Sequence, residues 1–213
     1  MPDDEVRQRM VERQLRQRGI ADRRVLVAMG RVARELFVRA EDRALAYADS
    51  PLSIGFGQTI SQPYIVALIC QEVGARPGRR VLDVGTGSGY QAAVLAELGA
   101  EVHTIERIRD LATRAVRNLE RAGYGDRVTV HLGDGTLGLP EHAPFDAIAV
   151  GAAAPRFPET LYAELAPLGR MVVPVGGRRD QRLEVIVASP EGPAIAHSVP
   201  CRFVPLVGAE GYA

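Results

Sequence analysis

The chain has 213 residues, 46% hydrophobic and 24% charged, an ordinary globular composition with enough apolar material for a sizeable core. Lys+Arg and Asp+Glu both total 26, so the formal net charge is zero. That balance gives no electrostatic case for a nucleic-acid or membrane-surface partner, which needs a basic excess, although the Arg-rich residues 7–24 leave room for a local basic patch. Two cysteines without paired spacing, Cys70 and Cys201, give no disulfide or zinc framework. No apolar run is long enough to span a membrane, and the start Met-Pro-Asp-Asp-Glu lacks a signal-peptide pattern. A cytoplasmic monomer is the expectation.

Residues 3–18 carry Val6, Met10 and Leu15 among many charges and predict a helix that Gly19 stops. A second helix begins at Asp22, an N-cap, and runs through Val25, Leu26, Met29 and Val32. Residues 39–62 read as irregular, with Ser50-Pro51 and Gly55-Phe56-Gly57 as turn signals. Pro63 suits the first turn of a helix reaching Val73, and Gly74 to Gly78 break it. Strand Val81–Val84, helix Gln91–Leu98, strand Val102–Ile105, helix Leu111–Ala122 and strands Val128–Leu132 and Asp146–Val150 then alternate. Leu161–Leu165 reads as helical, and Met171–Val175 and Leu183–Ala188 as strands. Ile195–Leu206, interrupted by Pro200 and Pro205, reads as an edge strand. The pattern predicts one α/β domain over 1–213 with a doubly wound, mostly parallel sheet. Residues 1–62 supply N-terminal helices and an irregular loop, and 63–213 supply the core.

The strongest local signal is Asp83-Val84-Gly85-Thr86-Gly87-Ser88-Gly89, a glycine-rich turn between a strand and a helix. Glu106 ends the next strand about 20 positions later, where a carboxylate can accept ribose hydroxyls. A nucleoside-containing cofactor follows. Dinucleotide folds use G-x-G-x-x-G, but here the spacing is G-x-G-x-G, which resembles the first motif of class I methyltransferases. Their cofactor presents an ammonium that Asp83 could attract. Gly133-Asp134-Gly135 follows the third strand, either as a plain turn or, by the same resemblance, as a site for the adenine amino group. Ser61, two residues before Pro63, is either a helix N-cap or, with Thr59, a hydroxyl pair for a carboxylate at a helix N-terminus.

Ser50-Pro51-Leu52-Ser53-Ile54-Gly55 and Gly57-Gln58-Thr59-Ile60-Ser61-Gln62-Pro63 resemble the signature of the protein L-isoaspartate O-methyltransferases. So do Leu82–Gln91, Gly133–Gly135, Phe145–Pro155, Val173–Gly176 and Arg202–Leu206. The resemblance implies a Rossmann-like methyltransferase that uses S-adenosylmethionine, yields S-adenosylhomocysteine and esterifies isoaspartyl carboxylates in damaged proteins and peptides. It makes Ser61 the active-site residue. Gln58, Thr59, Asp83, Gly85, Thr86, Gly87, Ser88, Gly89, Glu106, Asp134 and Gly135 become the cofactor contacts. Thr59, Ser61, Val204, Pro205 and Leu206 become the substrate contacts. Ala33, and Ala166-Pro167-Leu168-Gly169, depart from the commoner family residues and put loop geometry there in question. His103, His131, His142 and His197 show no ligand spacing, and no metal is expected.

Overall fold

A computed structural model describes residues 2–177 and 179–213. Helix α1 (Pro2–Met10) continues through a wider turn at Val11–Leu15 and a tight one at Arg16–Arg18. It stops at Gly19, whose φ of 94° is left-handed. Helix α2 (Arg23–Arg31) starts as the sequence implies, with Asp22 Oδ1 accepting the Arg24 N–H at 2.8 Å. Ala33 then leads into a 3₁₀ turn with φ of −74°, a value proline also holds, so this departure leaves the backbone path open to either residue.

Residues 39–62 are more ordered than their sequence indicates. After a 3₁₀ segment at Ala40–Leu45, β1 (Leu52–Gly55) and β2 (Gln58–Ile60) form an antiparallel hairpin. Phe56 and Gly57 at its tip have φ of 55° and 70°, the paired positive values of a two-residue turn whose twist suits its strands. Phe-Gly is not the usual signal for such a turn, so the pattern alone does not reveal it.

Helix α3 (Pro63–Val73) has Pro63 in its first turn and ends at Gly74 with φ of 63°. Then β3 (Arg80–Val84), α4 (Tyr90–Glu97), β4 (Glu101–Glu106), α5 (Arg109–Arg121), β5 (Val128–Leu132) and β6 (Phe145–Val150) follow the expected alternation. Three expectations change beyond this point. The helix expected over Leu161–Leu165 is α6 (Glu159–Ala163), because Leu165 already pairs with Phe145 at the start of β7 (Leu165–Gly176). Pairing between β6 and β7 then slips, and Ala166-Pro167-Leu168-Gly169 bulges outward with Leu168 exposed at φ of 63°. After β8 (Gln181–Ser189) and β9 (Gly192–Cys201), the strand expected to reach Leu206 ends at Cys201. It ends there because Val204 C=O and Leu206 N–H both bond Ala153, each at 2.8 Å, in the segment after β6.

The seven-stranded sheet has the order β5-β4-β3-β6-β7-β8-β9. It is parallel from β5 to β7 and antiparallel from β7 to β9. This is the doubly wound, mostly parallel α/β architecture, with α1 and α2 as an N-terminal flank. The chain steps outward from β3 to β5 and returns on the other side of β3 for β6. That reversal opens a crevice at the carboxyl ends of β3 and β6. One face buries Val81, Val102, Ala147 and Val172 against α1–α5. The other buries Leu82, Val84, Ile105, Ile148 and Met171 against Leu161 of α6, Leu139 and Leu206. Cover on this second face is thin near β5. There, β5 and β6 are joined by 3₁₀ turns at Gly135–Leu137 and Pro140–His142 in place of a helix. Among the described residues, no helix is long and apolar enough to cross a membrane.

Candidate active site

The loop Gly85–Gly89 leaves β3 at that crevice. Gly85, Gly87 and Gly89 have φ of 92°, 54° and 90°, values that a side chain would strain. The loop amides are satisfied from within. Gly85 and Thr86 N–H donate to Ile105 C=O at 2.9 and 3.2 Å, and Gly89 N–H to Thr86 C=O at 2.8 Å. Gly87 N–H donates to Glu106 Oε2 at 2.9 Å. A dinucleotide loop keeps such amides for phosphate. Here a carboxylate holds one of them and would repel a phosphate, so the geometry fits a cofactor with no phosphate at this place.

Glu106 is buried, and its Oε1 accepts the Ile108 N–H at 2.9 Å. Each oxygen has a second lone pair, enough to accept a pair of sugar hydroxyls in the cleft that Glu106 lines. Asp83 is fully buried beside it. Gln91 Nε2 donates to its Oδ1 at 2.7 Å and Thr104 Oγ1 to its Oδ2 at 2.8 Å. Since the Thr104 proton points to Asp83, the Thr86 hydroxyl donates to Thr104 at 2.7 Å. Burial pushes the Asp83 carboxyl up to about 6, with Gln91 and Thr104 pulling the other way. Asp83 therefore sits behind the loop and braces it through Thr86 and Thr104.

A cleft enclosing ≈ 600 Å³ of space that includes open solvent is lined by Gln58, Thr59, Gly85, Gly87, Glu106, Gly135, Gly151 and Val204 through Val207, among others. Gly135 packs closely here: a Cβ on it would lie 2.7 Å from Val84 Cγ1. Asp134, by contrast, is not among the lining residues. Its Oδ1 accepts the Thr136 N–H at 2.9 Å and hydroxyl at 2.7 Å, and its Oδ2 accepts the Ala209 N–H at 2.7 Å. Burial raises its carboxyl, but the Ala209 and Thr136 donors outweigh that and hold it below the usual range. Asp134 caps its own turn and ties down the chain end.

Ser61 lines a second depression with Pro51, Thr59, Gln62, Ile65, Gly151, Arg202, Phe203 and Val204. The two cavities meet at Thr59, Gly151 and Val204. Ser61, Thr86, Ser88 and Gly89's neighbour Tyr90 also line, or partly line, the narrow recess between Thr59 and the glycine loop. The N-cap of α3 is Gln62, in extended conformation and with no side-chain cap bond, so Ser61 is not the cap. Gln62 instead reaches back, donating from Nε2 to Asp49 Oδ1 at 2.6 Å, and Asp49 pairs with Arg18 at 2.9 Å. Arg18 in turn lies over the Tyr64 ring at 3.8 Å. Arg114 donates to Ile54 C=O and pins the hairpin to α5.

Val204, Pro205 and Leu206 line the cleft beside the glycine loop, but part of their backbone is taken by Ala153. Leu206 C=O also accepts the Tyr212 N–H at 2.7 Å. Sequence reasoning does not single out Gly151, Gln62 or Arg202. The available signal for Gly151 is its place just past β6, at the carboxyl side of the strand-order reversal. Arg202 begins a segment that resembles the family, but only the fold brings it to the depression that Ser61 lines.

A family profile described as "Protein-L-isoaspartate(D-aspartate) O-methyltransferase (PCMT)" matches residues 5–211. A protein-L-isoaspartate O-methyltransferase of Hyperthermus butylicus is 52% identical, covering 98% of this chain and 91% of its own. One of Gloeobacter violaceus is also 52% identical, covering 92% and 96%. Among solved structures, a protein-L-isoaspartate O-methyltransferase superposes with a TM-score of 0.86 at 31% identity, covering 96% of this chain and 67% of that one. A Plasmodium falciparum structure, described as a PCMT in complex with S-adenosyl-L-homocysteine, superposes at 0.83 and 29% identity, covering 94% and 98%. The chain belongs to the protein-L-isoaspartate (D-aspartate) O-methyltransferase family.

Proposed function

We propose that this chain, acting as one unit over 1–213, methylates the free carboxylate of isoaspartyl residues in damaged proteins and peptides. It is an S-adenosylmethionine-dependent methyltransferase by family. The observation that carries the reading is the junction of two cavities at Thr59, Gly151 and Val204, one floored by the glycine loop and Glu106, the other containing Ser61.

Gln58, Thr59, Gly85, Gly87, Glu106 and Gly135 line the cleft that would hold the cofactor, and Ser88 and Gly89 shape the loop behind it. When bound, S-adenosylmethionine supplies an electrophilic methyl group on a positive sulfur and leaves as S-adenosylhomocysteine. Glu106 takes the sugar hydroxyls. Asp83 keeps a negative charge behind the loop above pH 6, where its field favours the cofactor's ammonium. Asp134 acts at the adenine end chiefly by fixing Gly135 and the segment around Ala209.

A substrate carboxylate is already ionised near neutral pH, so the chain needs no strong base to activate it. Its tasks are positioning and removal of water, which together supply several kcal/mol. Ser61 and Thr59 donate hydrogen bonds that orient the attacking oxygen. Arg202 at the rim offers a cation to draw the acid in. Val204, Pro205 and Leu206, which line the cleft, flank the peptide. Labelled-methyl transfer to matched isoaspartyl and aspartyl peptides, with RNA as control, tests the proposal. Ester should form on the isoaspartyl peptide alone. Equal labelling of both peptides, or of RNA, would remove the assignment.

A further inference from the structure

Three histidines outside the cleft come together at the β5 end of the thinly covered face. His103 lies mid-way along β4, and the register sets it opposite Thr129, with Ile105 opposite His131 of β5. The two histidines are thus diagonal neighbours on one face, within reach of aromatic side chains. His142 arrives from the Pro140–His142 turn, its ring centroid 4.4 Å from that of His103 and 4.9 Å from that of His131. One nitrogen from each ring can be taken so that all three lie within 4.8 Å of one another.

The hydrogen bonds around His103 orient it inward. Its Nδ1 is 3.0 Å from His131 Nε2, and its Nε2 is 3.3 Å from Glu101 Oε1. A neutral imidazole carries one N–H, and an ionised carboxylate only accepts. A neutral His103 in this geometry would hold its proton on Nε2, against Glu101, and turn the Nδ1 lone pair toward the other rings. A metal-ligating histidine has this arrangement, with its outer nitrogen donating to a carboxylate that fixes the tautomer. Arg80 secures both ends: its Nε donates to Glu101 at 3.1 Å and its Nη1 to His142 C=O at 3.3 Å. One guanidinium thus anchors the outer carboxylate and the turn that delivers the third ring.

We propose that His103, His131 and His142 form a binding site for a divalent transition cation of the zinc class, which clips the 140–142 turn onto the edge of the sheet. Three imidazoles with an open fourth position suit tetrahedral zinc or cobalt(II), while calcium and magnesium require oxygen ligands. His131 and His142 are half-buried, which leaves that fourth position to water. The clip replaces cover that a helix would otherwise provide between β5 and β6. None of the three lines the cleft, so methyl transfer does not pass through this site.

Tag-free full-length protein, stripped by a chelator and titrated with Co²⁺, should bind one equivalent and develop the intense visible bands of four-coordinate cobalt. Zn²⁺ should displace it and raise Tm by about 5 °C or more at a hundredfold excess over Kd. His131→Asn and His142→Gln should each keep the metal-free Tm within about 2 °C while weakening Co²⁺ binding about 100-fold, and Glu101→Gln about 10-fold. His197→Gln, on exposed β9, should leave binding unchanged. Absence of the four-coordinate bands, or binding that survives both the His131 and His142 substitutions, would overturn the site.

Discussion

The two halves of the proposed active site are built differently. The donor half, around Gly85–Gly89 and Glu106, is held by bonds among segments that are neighbours in one sheet: Ile105 C=O, Glu106 and Thr104 all come from β4. The acceptor half is assembled from the β1–β2 hairpin, the start of α3 and residues 202–206, joined by long-range side-chain bonds such as Gln62 to Asp49 and Arg114 to Ile54. The first half is braced by buried backbone and carboxylate groups, the second by more exposed ones. Buried charge-assisted bonds are worth about 1.5–3 kcal/mol each, and exposed ones about 1 kcal/mol or less. Substitutions should therefore separate into effects on cofactor affinity and effects on acceptor turnover.

The sharpest separation is expected at Ser61. Ser61→Ala should lower kcat on an isoaspartyl peptide by about 100-fold or more, with the Kd for S-adenosylhomocysteine moving less than about threefold. Calorimetry and single-turnover rates together check this, and an unchanged kcat would end the orienting role. The converse loss belongs to Glu106. Glu106→Ala removes the acceptor for Gly87 and Ile108 and for the sugar hydroxyls, so affinity for S-adenosylhomocysteine should fall about 30- to 100-fold. If acceptor KM rose while affinity held, the division between the halves would fail.

Asp83 tests whether the donor half carries buried strain. Its acid form is favoured in the folded chain, so the stability associated with it is complete below about pH 4 and is lost as pH rises through about 6. Over that window Asp83 should lower the stability of the ligand-free protein by about 2–3 kcal/mol. The difference in Tm between Asp83→Asn and the parent should move in favour of the variant from pH 4 to pH 6 and then level off. A difference that stays flat with pH would show that the carboxyl titrates normally. The smallest effect is expected at Gln62. Gln62→Ala should raise the peptide KM about three- to fivefold through loss of the exposed Asp49 tie, about 1 kcal/mol, with cofactor affinity unchanged.

The same contrast explains what could be read from the chain. The donor half was legible because its residues are close in sequence and each has a local reason: strand Val81–Val84, three glycines at positive φ, and a carboxylate ending the next strand. Pro63 and Asp22 marked their helix starts for the same reason. In the acceptor half the residues alone leave Ser61 as either a cap or a carboxylate donor, and family resemblance decides between them, since three-residue strands and a Phe56-Gly57 turn carry almost no periodic signal. The return of residues 204–206 onto Ala153 depends on a partner some 50 positions away, and propensity along 195–206 pointed to a longer strand. The bonds from Asp134 to Thr136 and Ala209 carry no sequence signal, because the fold alone brings Ala209 to it. The histidines at 103, 131 and 142 have no fixed spacing, and only strand register and a turn bring them together.

The self-satisfied glycine loop bears on selection among ligands inside a cell. Adenine nucleotides share the base and sugar that this cleft would accept, and they are abundant. With Gly85, Thr86, Gly87 and Gly89 already bonded within the protein, the loop has little to offer their negatively charged tails, and Glu106 opposes them. Discrimination against the energy currency of the cell would thus follow from withholding donors, at no cost to a ligand that carries a positive charge in the same place.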